Sequence, residues 1–244
     1  MDIKVFEDSK KLGQAAAEFT AEVLNKAISE KGKARILMST GASQFDTIEA
    51  LLKVDIDWTK VEMFHLDEYI DLPESHPASF RKYLKERFLN HINIKKAYLV
   101  SPDGDVKAHI AELTEAIRKE EIDLGLIGIG ENAHIAFNDP PADFDTKEAY
   151  LIVNLDDDCK KQQMGEGWFA TMDDVPNQAV SMSVYQIMQC KTILSCVPYA
   201  AKANAIQKTL ENDLTNEIPA TMLKTHPDFH LYLDKDSASK TTLV

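Results

Sequence analysis

Between residues 9 and 31, Leu12, Ala16, Phe19, Val23 and Ala27 recur at steps of three and four, the period of one helical face, and Gly32 supplies a stop. The spacing predicts a first helix there. Downstream the pattern changes to short apolar runs at Ala34–Met38, Val61–Leu66, Tyr98–Val100, Ile122–Ile129, Tyr150–Leu155 and Thr192–Val197, which read as strands. Amphipathic stretches at about Asp46–Lys53, Ser79–Phe88, Val106–Lys119 and Ala200–Leu210 lie between them and read as helices. Such alternation predicts an α/β fold in which a mostly parallel sheet is covered by helices on both faces. No linker, repeat or shift of composition divides the chain, so residues 1–244 read as one domain.

Composition narrows the classes of function. Apolar residues make up 44% and charged residues 27%, which excludes a disordered chain. The balance of 27 basic against 40 acidic residues gives a net charge of −13, and this argues against a nucleic-acid partner. An anionic ligand must then be held locally, by backbone donors or a few cations. Three cysteines, Cys159, Cys190 and Cys196, with no C-x-x-C pair, argue against a disulfide framework and against a zinc site; no metal is expected. No apolar run approaches the roughly 18 residues of a membrane span. The start MDIKVFEDSKK is no secretory signal, and the expected location is the cytoplasm.

In open α/β sheets, ligands gather at the carboxyl ends of strands, so the residues after each apolar run carry most information. The second run ends in Ser39-Thr40-Gly41-Ala42-Ser43-Gln44 before a predicted helix, a setting that suits a phosphate; alternatively Ser43 or Asp46 simply caps that helix. The third run ends in Asp67-Glu68-Tyr69. A carboxylate there can serve as a general base, Asp67 being better placed, or either acid can cap a turn or pair with a lysine. After Ile122–Ile129 comes Gly128-Ile129-Gly130-Glu131-Asn132-Ala133-His134, nominally a dinucleotide fingerprint. Pro140 and Pro141 leave no room for the helix that fingerprint needs. What remains is a tight loop presenting His134, with Asn132 two residues before it and Asp139 five after, suited to proton transfer near neutral pH. Lys202, after the strand at Thr192–Val197, adds a point charge at the same sheet edge or is ordinary surface.

Taken together, Ser39-Thr40-Gly41-Ala42-Ser43, Leu66-Asp67-Glu68-Tyr69, His76-Pro77-Ala78-Ser79-Phe80, the segment from Gly128 to Pro140 and Lys202 resemble the glucosamine-6-phosphate deaminase (isomerase) family in order and spacing, as far as about Leu233. The sister lactonase family, acting on 6-phosphogluconolactone, usually has D-E-R where this chain has Asp67-Glu68-Tyr69. The resemblance implies a three-layer α/β sandwich, a small sugar phosphate as the partner, and a reaction needing neither metal nor organic cofactor. It implies that Asp67 moves a proton between C2 and C1 of the opened sugar and that His134 assists ring opening. Asn132 and Asp139 would orient His134, and Ser39, Thr40, Gly41, Ala42, Ser43 and Lys202 would hold the 6-phosphate.

The chain departs from the family pattern at three places. Ala133 replaces the glycine of the turn before the histidine, and Asp139 replaces a glutamate. Many members also supply an arginine to the phosphate from the stretch before V-P, whereas Met164-Gly165-Glu166-Gly167-Trp168-Phe169 holds none. Either Arg81 or Lys82 takes that place, or the substrate differs from glucosamine 6-phosphate. The expected activity is an isomerising deaminase of an amino-sugar phosphate; a 6-phosphogluconolactonase-type hydrolase and a catalytically silent sugar-phosphate sensor are the alternatives. Oligomeric state is left open.

Overall fold

The computed structural model describes residues 1–155, 157–165 and 167–244. Strand β1 (Asp2–Phe6) leads into helix α1 (Ser9–Lys31). The Asp8 side chain caps this helix by accepting from the Lys11 N–H at 2.8 Å, and Gly32 ends it with a left-handed φ of 74°. Then come β2 (Ala34–Met38), α2 (Phe45–Leu51), β3 (Val61–His65), β4 (Asp67–Tyr69), α3 (Phe80–Arg87) and β5 (Lys96–Tyr98). Helix α4 (Val106–Arg118), β6 (Leu124–Leu126), β7 (Tyr150–Asn154), α5 (Asp157–Gly165), β8 (Gln178–Met182) and α6 (Val184–Ile187) follow. Strand β9 (Thr192–Val197), α7 (Ala203–Glu211), β10 (Phe229–Asp234) and α8 (Lys235–Ala238) complete the chain.

Seven strands pair in parallel in the order β1-β10-β9-β6-β2-β3-β5. Successive side chains of a strand go to opposite faces, and here each face meets a core. Ile36, Met38, Met63 and Leu194 pack with Leu12, Ala16 and Leu24 of α1 and with Leu84 of α3. Their neighbours Leu37, Phe64 and Ile193 pack on the other side with Leu113 and Ile117 of α4 and Ile206 of α7. These are the three layers expected. The middle strands read as continuous apolar runs because both their faces are buried.

A second sheet, β4-β8-β7, is antiparallel. The run Tyr150–Leu155, expected as a strand of the parallel sheet, belongs to this one as β7. Its burial alternates, with Ile152 39% exposed, as suits a strand with one solvated face. Strands β1, β8 and β10 are not apparent as apolar runs. In β10 the polar His230, Tyr232 and Asp234 alternate with Phe229, Leu231 and Leu233, and in β8 the run is broken by Ser181. The helix expected from Ala200 begins as a single 3₁₀ turn, with α7 proper from Ala203. None of the three cysteines forms a disulfide, and all are buried. Among the described residues no helix is long and apolar enough to cross a membrane.

Candidate active site

The carboxyl ends of β2, β3, β6 and β9 surround a cavity of about 240 Å³. Ser39, Thr40, Gly41, Ala42 and Ser43 form one wall and Lys202 borders it, so the sequence segments chosen for a phosphate converge. Gly41 takes φ 104°, a conformation that strongly favours glycine, and the chain then turns through Ala42–Gln44 into α2. The Tyr83 hydroxyl donates to the Gly41 carbonyl at 2.9 Å and fixes the turn from outside. Neither Ser43 nor Asp46 caps α2. The Ser43 hydroxyl accepts from Gln44 Nε2, which also donates to the Cys196 carbonyl, both at 3.0 Å. The capping alternative therefore fails, and the first N–H groups of this turn, having no acceptor within it, suit an anion. Ser39 Oγ is buried on the cavity wall with no partner among the described residues.

Asp67 and Glu68 part company because they are neighbours on a strand. On β4 successive side chains face opposite ways. Asp67 lines the cavity, is 7% exposed, and receives no hydrogen bond on its carboxylate from the described residues. Burial, with the Glu68 charge beside it, pushes its pKa up to about 8. Glu68 turns away and is fully buried. It accepts from Ser79 Oγ (2.8 Å), from the Phe80 and Arg81 N–H groups (3.2 and 2.8 Å) and from Arg81 Nε (3.2 Å).

This network corrects the expectation for Arg81 and Lys82. The Arg81 guanidinium is 1% exposed and is engaged by Glu68, Asp103, Ser101 and the Leu72 carbonyl. Lys82 donates to the Ser75 carbonyl. Neither lines the cavity, so neither supplies the cation missing from the stretch 164–169, of which Glu166 lies outside the described residues; of the two alternatives read from the sequence, that leaves a different substrate, unless a neutral group does the work of that cation. Lys202 is the one lysine or arginine among the described lining residues.

The loop after β6 contains no helix, as its prolines predict. It is a tight turn in which Gly130 N–H donates to the His134 carbonyl and Ala133 N–H to the Gly130 carbonyl. The imidazole lies flat against Gly130: a Cβ at that position would sit 2.3 Å from His134 Nε2. Only glycine permits that approach. Ala133 adopts φ 70°, so the turn before the histidine keeps a backbone that favours glycine although an alanine occupies it. His134 lines the cavity, and its Nδ1 stands 3.0 Å from Asp139 Oδ1, a close charge contact outside the alignment of a directed hydrogen bond. Asn132 ties the pair together, donating from Nδ2 to Asp139 Oδ1 and accepting the His134 N–H, both at 3.0 Å. Burial pushes the Asp139 carboxyl up, but contact with His134 and Asn132 outweighs it and leaves the carboxyl below its ordinary value. The shorter aspartate therefore still reaches the histidine. Asn132 and Asp139 stand behind His134 rather than on the cavity wall.

Several lining residues were not singled out in the sequence. Phe80 and Phe137 stack, with centroids 5.8 Å apart, and give part of the cavity lining an apolar surface. Gln163, from α5, reaches the cavity with its Oε1 accepting from the Tyr69 hydroxyl at 2.6 Å. Tyr199 and Glu131 complete the rim. The signal for Phe80 is present in His76-Pro77-Ala78-Ser79-Phe80, whereas α5 and the Tyr199 backbone leave no local pattern. Among the described residues no group of three or more His, Cys, Asp or Glu side chains is placed to hold a metal ion.

A family model described as glucosamine-6-phosphate isomerases/6-phosphogluconolactonase matches residues 7–231. The chain is 35% identical over 227 residues to a protein of Thermoanaerobacter pseudethanolicus named glucosamine-6-phosphate deaminase, covering 90% of this chain and 88% of that one. It is 33% identical over 248 residues to a protein of Halothermothrix orenii of the same name, covering 98% and 99%. Among solved structures, a monomeric glucosamine-6-phosphate deaminase superimposes with a TM-score of 0.89 at 27% identity, covering 99% of this chain and 100% of the other. A 6-phosphogluconolactonase from Thermotoga maritima reaches 0.79 at 16% identity, covering 96% and 99%, a likeness of fold alone.

Proposed function

Since the chain belongs to the glucosamine-6-phosphate isomerase/6-phosphogluconolactonase family, we propose that it is a cytoplasmic glucosamine-6-phosphate deaminase that opens the sugar ring, isomerises the aldose to a ketose and releases ammonia. The observation that carries this reading is one cavity with Asp67 and His134 on its wall and Ser39–Ser43 with Lys202 beside them. The Asp67 carboxyl accepts no hydrogen bond from the described residues, so once ionised its lone pairs are open to a substrate proton. Three cysteines that form no disulfide fit a reducing compartment.

The reaction divides among this chain's residues by position. The turn at Gly41–Ser43 and the Lys202 ammonium hold the 6-phosphate, and Ser39 Oγ offers one further donor. His134, steadied by Asp139 and Asn132, carries the O1 proton to O5 as the ring opens. Asp67 removes the C2 proton and returns it at C1, while a proton passes from the 2-amino group to O1, leaving a C1 hydroxyl and an imine at C2. Water adds there and ammonia departs, giving the ketose phosphate. Phe80 and Phe137 keep bulk water from the carbon framework while this occurs.

Incubation with glucosamine 6-phosphate is expected to yield ammonia and a ketose phosphate in equal amounts, and incubation with 6-phosphogluconolactone no acid above the uncatalysed rate. Acid without ammonia would transfer the assignment to the lactonase reading. Binding in a calorimeter with turnover of neither would leave a sensor. If His134 acts at ring opening, His134→Gln should slow the cyclic substrate by about 100-fold. An open-chain analogue that cannot close its ring should be slowed far less, and equal slowing of both would remove His134 from that step.

A further inference from the structure

Tyr199 stands at φ 81° and ψ 145°, a region essentially reserved for glycine, because a side chain there crowds its own backbone. The conformation is held from below. The Tyr199 N–H donates to both carboxylate oxygens of the buried Asp234, at 3.1 and 3.0 Å. Asp234 is in turn fixed by the Ser237 N–H at 2.8 Å as the cap of α8. A glycine would sit in this turn without strain, so the ring is kept there against the backbone's preference. It is also an exposed aromatic, 36% accessible, and lines the same cavity as Ser43 and Lys202. Its hydroxyl is held by Ser9 at the start of α1 and stands 3.4 Å from Asp46 Oδ2 in the first turn of α2, so the side chain spans from the end of β9 to the helix that follows the Gly41–Ser43 turn.

We propose that Tyr199 is a substrate-binding residue that covers the phosphate end of the cavity and shields the ion pair between Lys202 and the bound phosphate from water. This rests on the reading that the cavity takes a sugar phosphate. The described lining residues offer the phosphate one lysine and no arginine. A single ion pair gains more from a covered site, since Coulomb attraction strengthens as water is excluded and salt then screens it less. The neutral aromatic ring thus does by desolvation part of what a second cation would do by charge.

The decisive variant is Tyr199→Gly, which removes the ring while relieving the backbone, so that loss of fold does not confuse the result. Its melting temperature is expected to equal or exceed that of the wild type. Its KM for glucosamine 6-phosphate and its inhibition constant for inorganic phosphate should both rise about 10-fold in low salt, and more between about 0.05 and 0.5 M KCl, with kcat falling much less. Tyr199→Phe, which keeps the ring, should recover most of the lost phosphate affinity. Phosphate affinity and salt dependence of Tyr199→Gly within twofold of the wild type would overturn the proposal, as would a fall in kcat with KM unchanged. If the wild type binds inorganic phosphate in a Tyr199-dependent way yet releases no ammonia, the deaminase reading fails and this one stands. Ammonia release by Tyr199→Gly with wild-type KM leaves the deaminase reading and removes this one.

Discussion

Asp67→Asn is expected to lower ammonia release by about 10²–10⁴-fold, the range of a positioned general base, and to stop exchange of the C2 proton with solvent. Inorganic phosphate should still bind, because the proposed function assigns the anion to Ser39–Ser43 and Lys202 and not to Asp67. Retention of C2 exchange in the variant would remove Asp67 from the role. The pH dependence has a definite sign. With its pKa pushed up to about 8 by burial, the free protein's Asp67 carries a proton at neutral pH, and kcat/KM of the wild type should climb as pH rises toward 8. Stability runs the other way. The folded chain holds a proton at Asp67 that the unfolded chain releases above about 3.9, so this group makes the wild type less stable as pH rises from there to about 8. Asparagine does not titrate. Denaturant melts should therefore show Asp67→Asn gaining on the wild type between pH 5 and pH 8.

Arg81→Met is expected to cost about 3–5 kcal/mol of stability, because it leaves Glu68 buried without its cation. In a chain of this size that lowers the melting temperature by about 10 °C or more. Burial already holds Glu68 above its ordinary pKa, and loss of the guanidinium raises it further. The carboxyl then takes up a proton as pH falls, so the deficit should be smaller at pH 5 than at pH 8. A deficit below about 1 kcal/mol at both values would mean that the four remaining donors of Ser79, Tyr69, Phe80 and Arg81 N–H suffice for the carboxylate.

What could be read from the sequence was local. Asn132, His134 and Asp139 lie within eight consecutive residues, so their grouping needed only a tight loop, and Gly130 with Pro140 and Pro141 announced one. The central strands were legible because burial on both faces makes them wholly apolar, whereas β10 alternates polar with apolar residues and hides. The setting of Arg81 is not legible in the sequence because its partners are remote: Glu68 is 13 residues away and Asp103 is 22. Choosing Asp67 over Glu68 rested on position, and the physical reason, a three-residue strand with alternating faces, is visible only in the fold. Gln163 depends on how α5 packs over Tyr69. Tyr199 depends on a backbone conformation that no residue preference foretells for tyrosine.

Ser181 pairs in register with Asp67, and its Oγ accepts the Phe137 N–H at 3.0 Å, three residues beyond His134. A single hydroxyl thus links the strand bearing the carboxylate to the loop bearing the imidazole, and does so from the small antiparallel sheet. The turn at Gly41–Ser43 leaves β2 of the large parallel sheet, and the loop of His134 leaves β6 of the same sheet. Only the carboxylate belongs to the small sheet, and the Ser181 hydroxyl is where that sheet grips the loop of the imidazole. A shift of the small sheet therefore pulls on both groups at once, so their spacing is better protected than the distance of either from the turn after β2.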